Sequence, residues 1–195
     1  MAALPKLPER MTVAEFLAWE PPDGWRWQLV DGEPQAMAPP SRTHGTLQGE
    51  VAGTIRDHLR ARRSPCVLVV TPGVVPRVAS GENVRVPDLA VTCTAYAEEE
   101  AVLTDPVLVI ELLSPSNRAK TWANVWAYTT IPSVREILIL STVGIAADLL
   151  RRGPAGIWPQ QPARIEAGAL TMESIELTVP LADLYATTRL ARPLL

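Results

Sequence analysis

A nearly unbroken apolar run from Val107 to Leu113 limits how this chain can fold more than any other feature of its sequence. Such a run predicts a central strand that is buried on both faces of a sheet. One acid, Glu111, interrupts the run. A carboxylate inside a buried strand is costly unless it is paired, hydrogen-bonded or bound to a metal. Glu111 is therefore the first candidate for a functional residue.

The chain before this run alternates between helix and strand patterns. Thr12 and Glu15 form a capping box, which predicts a short helix to about Trp19. Asp31-Gly32 predicts a tight hairpin between strands at residues 25–30 and 33–37. Apolar residues at every fourth position predict a long helix from Thr43 to about Arg63. Those positions are Leu47, Val51, Ile55 and Leu59. Three short strands are predicted next: Cys66–Val70, Val74–Arg77 and Arg85–Thr92.

After the run, residues 118–129 are predicted to form a helix. Ile131-Pro132 ends this helix, because proline cannot continue it. The remaining predicted elements are strands at Glu136–Ser141, Ala146–Arg152 and Ile175–Val179 and a short helix at Leu181–Tyr185. The pattern is that of an α/β (α+β) protein. We expect one domain over residues 1–195, with residues 1–10 as a flexible N-terminal segment.

The charge balance and the apolar composition of the chain exclude several classes of protein. With 18 basic and 21 acidic residues the net charge is −3, which excludes a basic nucleic-acid coat and a polybasic membrane binder but allows local contact with phosphates. No secretory signal is visible, and the apolar runs are too short to span a bilayer. Cys66 and Cys93 have no CxxC spacing, so we expect buried free thiols in a reducing cytoplasm and a protein that is not in a membrane.

A second acid, Asp88, interrupts the apolar segment Val86–Val91. Two carboxylates on neighbouring strands are suited to share a hard divalent cation such as Mg²⁺, which prefers one or two carboxylates plus water and phosphate. Such a metal lowers the pKa of bound water and stabilises charge on a phosphate. The spacing alone leaves an alternative open, in which each acid caps an element or pairs with an Arg.

The motifs around these acids carry a resemblance to a known family. Pro87-Asp88, twenty-two intervening residues and Glu111-Leu112-Leu113 resemble the PD-(D/E)XK nuclease superfamily. The wider set of motifs, over roughly Met11 to Ser141, resembles the Uma-two family of putative restriction endonucleases. Those motifs are Trp27–Glu33, Met37–Pro40, His44, Pro87-Asp88, Val109–Ser116 and Tyr128. The resemblance implies a restriction-endonuclease-like core, a mixed β-sheet flanked by helices, a metal site at one edge, and a homodimer.

Matching positions to the family implies roles for individual residues. Asp88 and Glu111 correspond to carboxylates that hold Mg²⁺ or Mn²⁺, and the backbone carbonyl of Leu112 is a further predicted ligand. His44 matches a family histidine near the site, although a helix-capping or structural role is equally consistent with its position. Gln28 stands where the family usually has Glu; an amide can hydrogen-bond a metal-bound water but is a poor base.

The catalytic lysine of the superfamily has no direct counterpart. Leu113 occupies its usual position, and Asn124 occupies the alternative position on the following helix. The chain has two lysines, and Lys6 lies in a proline-rich terminus. Lys120, one helical turn before Asn124, is the remaining candidate for a cation near Asp88 and Glu111. The alternative is that Lys120 is a solvated surface residue.

Arginines cluster on the predicted long helix. Arg56, Arg60, Arg62 and Arg63 lie in its last part and Arg42 near its start. Such a patch is suited to phosphate contacts, but favourable placement of cations at a helix C-terminus explains part of it equally well.

Two functions follow from these residues. The first is a metal-dependent endonuclease that acts on DNA phosphodiester bonds, with Asp88, Glu111, Gln28, His44 and Lys120 in the site. The alternative is a catalytically impaired relative that serves as a DNA-binding or protein-interaction module. Gln28 and Asn124 favour the alternative, whereas two acids in buried strands favour the enzyme.

Overall fold

The computed structural model describes residues 9–21, 25–95, 97 and 100–192. The helices are α1 (Val13–Ala18), α2 (Arg42–Ala61) and α3 (Arg118–Tyr128), with 3-10 turns at Pro115–Asn117, Glu173–Ile175 and Leu181–Tyr185. The strands are β1 (Arg26–Val30), β2 (Glu33–Met37), β3 (Val67–Val70), β4 (Leu89–Thr92), β5 (Pro106–Leu113), β6 (Glu136–Ser141), β7 (Ala147–Arg151), β8 (Ala163–Ile165), β9 (Ala169–Met172) and β10 (Leu177–Pro180).

A six-stranded mixed sheet in the order β3-β4-β5-β6-β7-β8 forms the centre of the fold. Strands β5 and β6 are parallel, and the other neighbours are antiparallel. The apolar run forms β5, and all eight residues of this strand are buried. The predicted α/β class, a mixed sheet flanked by helices, is thus confirmed.

Alternate residues of β5 face two different cores. Leu108, Ile110 and Leu112 pack on the side of α2 and of the β9–β10 hairpin. Val109 and Leu113 pack on the opposite side, with Val125 and Tyr128 of α3. Because successive side chains of a strand alternate in direction, Glu111 belongs to the side of α3.

The local signals at both N-terminal helices are confirmed. Thr12 and Glu15 form the predicted capping box of α1. Helix α2 begins after Ser41, whose hydroxyl accepts the N–H of His44. The four predicted apolar positions of α2 are all buried against the sheet. The helix is therefore fixed along its whole length, and its first turn lies at the edge where Asp88 is found.

The predicted hairpin at Asp31-Gly32 is confirmed, and β1 and β2 form a separate two-stranded sheet. Two strand predictions need correction. Residues 74–77 form no strand, since Val74 makes a single bridge to Arg85, and β4 begins at Leu89 instead of Arg85. Pro76 and Pro87 explain both differences, because proline has no N–H to donate to a ladder.

The prediction of free thiols is wrong, because Cys66 and Cys93 form a disulfide. The pairing of Val67 with Thr92 in the antiparallel β3–β4 ladder puts the two cysteines opposite each other, one step beyond the last pair. Sequence spacing gives no hint of this proximity, since 27 positions separate the two residues. The argument for a reducing compartment that relied on free thiols therefore no longer holds.

Two further expectations concern the chain ends and membranes. Residues 1–8 of the predicted flexible segment lie outside the described residues, and Arg10 pairs with Glu82 at 2.7 Å.

Within the described residues, no helix has the length and apolar character needed to cross a membrane.

Candidate active site

Asp88, the residue just before β4, lies opposite Glu111 of β5. The β4–β5 ladder pairs Leu89 with Ile110, so the next position on each strand is Asp88 and Glu111. Facing residues of an antiparallel pair have Cβ atoms about 4.5–5.5 Å apart. The backbone N–H of Leu112 donates to Oδ2 of Asp88 at 2.7 Å, which fixes this carboxylate beside β5. The structure thus brings together the two acids that interrupt the apolar strands.

Helix α2 holds Asp88 from the other side. Nε2 of His44 lies 2.8 Å from Oδ1 of Asp88, a hydrogen bond in which the carboxylate accepts. One turn later, Nε2 of Gln48 donates to the backbone carbonyl of Asp88 at 2.8 Å, and the N–H of Thr71 donates to the same carbonyl at 3.0 Å. His44 lies in the first turn of α2, where the helix dipole favours a negative charge. His44 is therefore a contact of the candidate metal ligand Asp88.

Glu111 is buried beneath α3. The hydroxyl of Tyr128 donates to Oε1 of Glu111 at 2.8 Å. Burial, followed by the nearby carboxylate of Asp88, raises the pKa of Glu111 well above its usual range, while hydrogen bonds from Tyr128 and Asn124 oppose the rise. Two crowded carboxylates of this kind favour the uptake of a proton or a cation between them.

The donor set fits a hard cation with few protein ligands. In the described part of the chain no three His, Cys, Asp or Glu side chains are grouped to hold a metal. Two carboxylates with open positions for water suit Mg²⁺ or Mn²⁺ and do not suit a four-ligand zinc site. Leu112 contributes its N–H to Asp88, and its carbonyl remains a predicted ligand.

A buried cation that the sequence motifs did not mark is linked to Glu111 through Asn124. Arg85 is 6% exposed, and its Nη1 donates to Oδ1 of Asn124 at 3.0 Å. Its Nε has no hydrogen-bond partner, and no described carboxylate makes an ion pair with it. Burial lowers the pKa of this guanidinium. The signal was available, since Arg85 precedes Asp88 by three positions and is a charge in an otherwise apolar segment, as Glu111 is.

Lys120 lies close to Arg85. Burial, and then the positive charge of Arg85, lowers the pKa of the Lys120 ammonium. The side chain is half-buried, and no described hydrogen bond or ion pair joins it to Asp88 or Glu111. Lys120 is thus close to Arg85 and makes no described hydrogen bond or ion pair with the two acids. The expectation of a simple solvated lysine does not describe this environment.

Gln28 lies on β1, away from direct contact with the acids. The bridge between Leu29 and Val84 puts Gln28 opposite Arg85 in the antiparallel register. Its side chain is completely buried, and neither Oε1 nor Nε2 has a partner among the described residues. Buried amides without partners are unusual and mark places where a water or a ligand atom completes the hydrogen bonding. Gln28 and Nε of Arg85 thus add unused hydrogen-bonding capacity to this part of the molecule.

Comparisons with known proteins give the family and the fold of this chain. A family model described as Uma2, putative restriction endonuclease, matches residues 13–182. An uncharacterized protein of Synechocystis sp. is 27% identical over 151 residues, which cover 76% of this chain and 78% of that protein. A crystal structure of a putative nuclease belonging to DUF820 from Anabaena variabilis superposes with a TM-score of 0.70 at 18% identity, covering 90% of this chain and 98% of the other. The fold is therefore that of this nuclease-like neighbour.

Proposed function

The chain belongs to the Uma2 family of putative restriction endonucleases, and from this premise we propose that it is a metal-dependent endonuclease that hydrolyses DNA phosphodiester bonds. The observation that carries the proposal is the pair Asp88 and Glu111, which face each other across the β4–β5 ladder with Leu112 bonded to Asp88. A pure scaffold gains nothing from two crowded acids, one of them buried in the central strand.

In this proposal Asp88, Glu111 and the carbonyl of Leu112 hold Mg²⁺ or Mn²⁺. When bound, such an ion lowers the pKa of coordinated water and neutralises charge on the phosphate. Tyr128 keeps the Glu111 carboxylate oriented through its 2.8 Å hydrogen bond. His44 fixes the rotamer of Asp88 through its 2.8 Å hydrogen bond. These two contacts hold both acids in place before a substrate arrives.

We assign the cationic role of the missing superfamily lysine mainly to Arg85. Asn124, which stands at the family lysine position, accepts a hydrogen bond from Arg85 and so anchors a positive charge at that place. Lys120 supplies a second charge beside it. Gln28, with its unpartnered amide opposite Arg85, is proposed to hold a water or a phosphate oxygen. A preorganised cation of this kind stabilises the charge that develops on the phosphate.

The remaining parts of the proposal concern the state of the protein in the cell. The family name supports DNA as the substrate, and we propose a homodimer, which sedimentation equilibrium tests. A cytoplasmic location requires the Cys66–Cys93 bond to persist in a reducing environment. Thiol trapping of freshly lysed cells tests that requirement.

A second candidate function is a catalytically impaired module that binds DNA or a protein. The observation that favours it is the absence of a lysine at both family positions, Leu113 and Asn124, together with the uncharged Gln28. In such a protein the acids would still bind a cation, but bound DNA would not be cut.

Calorimetric titration with Mn²⁺, paired with cleavage of supercoiled plasmid, tests the proposal. We expect the wild type to bind Mn²⁺ and to nick plasmid, and Asp88→Asn to lose both. Asp148→Asn is the matched control, because Asp148 is also buried but pairs with Arg164 on β8. A wild type that binds no Mn²⁺ would contradict the enzyme, and Mn²⁺ binding without cleavage would support the second candidate.

A further inference from the structure

A groove runs between α2 and strand β3, and its lining starts one helical turn after Gln48 and ends one residue before Thr71. Its volume is about 450 Å³, and its lining includes Ala52, Arg56, Arg60 and Arg63 of α2 and the loop after it. The opposite wall is β3, from Val67 to Val70. The groove thus has one strongly cationic wall and one apolar wall.

Both walls of this groove converge on Asp88. On α2, His44 and Gln48 contact Asp88 directly, and residues at four-residue steps continue from them along one ridge of the helix. On the sheet side, Thr71 follows β3 and donates its N–H to the carbonyl of Asp88. The residues that follow each wall toward the site therefore contact Asp88.

The arginines along the ridge are available for a ligand. Arg60 and Arg63 have no acidic partner in the described part of the chain, whereas Arg62 is paired with Glu176 and points elsewhere. Arg56 is exposed and contacts Asp57, its neighbour in sequence, at 3.0 Å. Placement at a helix C-terminus does not account for Arg56, which lies before the last turn.

We propose that this groove, defined by residues 52–63 and strand β3, binds the sugar-phosphate backbone of a DNA strand that leads away from the phosphate at Asp88 and Glu111. The proposal rests on the nuclease function above and adds where the substrate lies. From Gln48 to Arg60 the helix advances about 18 Å at 1.5 Å per residue. A strand that advances about 3.4 Å per nucleotide spans this length with about five nucleotides.

A second copy of the chain is the other occupant to consider, because β3 is an edge strand with exposed Val67 and Val70. Pairing two such edges about a twofold axis would bring Arg56, Arg60 and Arg63 of both copies to the same interface. That interface would concentrate like charge, because among the described residues only Arg56 of these three arginines has an acidic partner, Asp57. Phosphates supply the missing negative charge, so the charge pattern favours DNA.

The test measures binding of a fluorescein-labelled DNA duplex by anisotropy in EDTA over a series of NaCl concentrations. The test variant is Arg60→Gln/Arg63→Gln. The control is Arg77→Gln/Arg192→Gln, which removes the same charge from two exposed arginines outside the groove. Each lost phosphate contact lowers the slope of log K against log salt by about 0.9. We expect the test variant to lose about two units of slope and about tenfold in affinity at low salt, and the control to keep the wild-type slope.

Equal salt slopes for the test variant and the control would contradict the assignment of the groove to DNA binding. If cleavage of plasmid with Mn²⁺ persists in that case, the proposed nuclease function stands and only the groove assignment fails. A wild type that binds no duplex would overturn both. An unchanged slope combined with loss of a dimer in sedimentation would reassign the groove to a second copy and overturn the inference. Circular dichroism melts of both double variants verify that each is folded.

Discussion

Asp88 lies directly across the β4–β5 ladder from Glu111, and its charge adds to burial in raising the pKa of the Glu111 carboxyl well above the usual range. Another buried acid, Glu136, has a very different environment. Arg151 and the backbone N–H groups of Glu173 and Ser174 all donate to it. Glu136 is satisfied by the protein alone, whereas the Asp88–Glu111 pair gains from a further positive charge.

We predict that Glu111→Gln raises the free energy of unfolding at neutral pH in the absence of metal. The raised pKa means that folded Glu111 holds its proton where the unfolded chain has lost it. Protonated Glu111 contributes its full stability below the pKa that this group has in the unfolded chain. That contribution is lost as the pH rises through the pKa of Glu111 in the folded protein. Across that window stability falls with a limiting slope of about 1.4 kcal/mol per pH unit. Urea unfolding between pH 4 and 8 measures the slope, which Glu111→Gln should remove.

Glu136→Gln is the matched control, and we expect the opposite sign. Replacing this carboxylate by an amide weakens the ion pair with Arg151 at 2.7 Å and puts an NH₂ group toward backbone donors. Arg151 is 37% exposed and also pairs with Glu173, so the expected loss is about 1–3 kcal/mol, the cost of leaving a buried donor unsatisfied. If Glu111→Gln and Glu136→Gln change the free energy of unfolding equally at pH 7, the environments of the two acids do not differ in the way proposed.

We predict that Tyr128→Phe moves Mn²⁺ binding to higher pH. The hydroxyl of Tyr128 donates to Glu111 and stabilises its ionised form, so its removal raises the pKa of Glu111 further. Burial and the charge of Glu111 raise the pKa of Tyr128 itself, so the wild-type hydroxyl remains a donor at the pH of the assay. Calorimetry between pH 5.5 and 8.5 should show weaker binding at low pH and recovery at high pH. Uniform weakening at every pH would contradict the assigned role.

We predict that Arg85→Gln lowers the rate of cleavage more than Lys120→Gln does. Removing one preorganised donor to a developing charge costs about a hundredfold or more in rate. Arg85 is buried and anchored by Asn124, whereas Lys120 is half-buried and no described hydrogen bond fixes its ammonium group. Single-turnover cleavage of an oligonucleotide measures both variants, and Arg85→Lys should recover part of the rate because it keeps the charge. A larger loss in Lys120→Gln would return the catalytic cation to Lys120.

Much of this arrangement could be predicted from local signals. The apolar run predicted β5, and the four-residue period predicted α2. Asp88 and Glu111 were predicted as site residues because each interrupts an apolar segment. These signals are readable because burial on both faces or on one helix face leaves a period in the sequence. The motif order added the family, which the match over residues 13–182 confirms.

The contacts between distant segments could not be predicted in the same way. Arg85 reaches Asn124 across 39 positions, and His44 reaches Asp88 across 44. Such pairings depend on the register of strands and on the packing of helices, which leave no period in the sequence. The β8 and β9 strands were also missed, because three- and four-residue segments are too short to show an alternation.

The disulfide is the clearest case of a long-range contact, and it gives the last prediction. Cys66→Ser/Cys93→Ser should lower the free energy of unfolding by about 3–4 kcal/mol, the loop-closure value for the 27-residue separation. The bond ties the start of β3 to the end of β4 beside the arginine groove, since Cys66 also lines that groove. Urea unfolding of oxidised wild type, reduced wild type and the double variant measures the effect. The reduced wild type should match the double variant, and three coincident curves would show that no bond forms in solution.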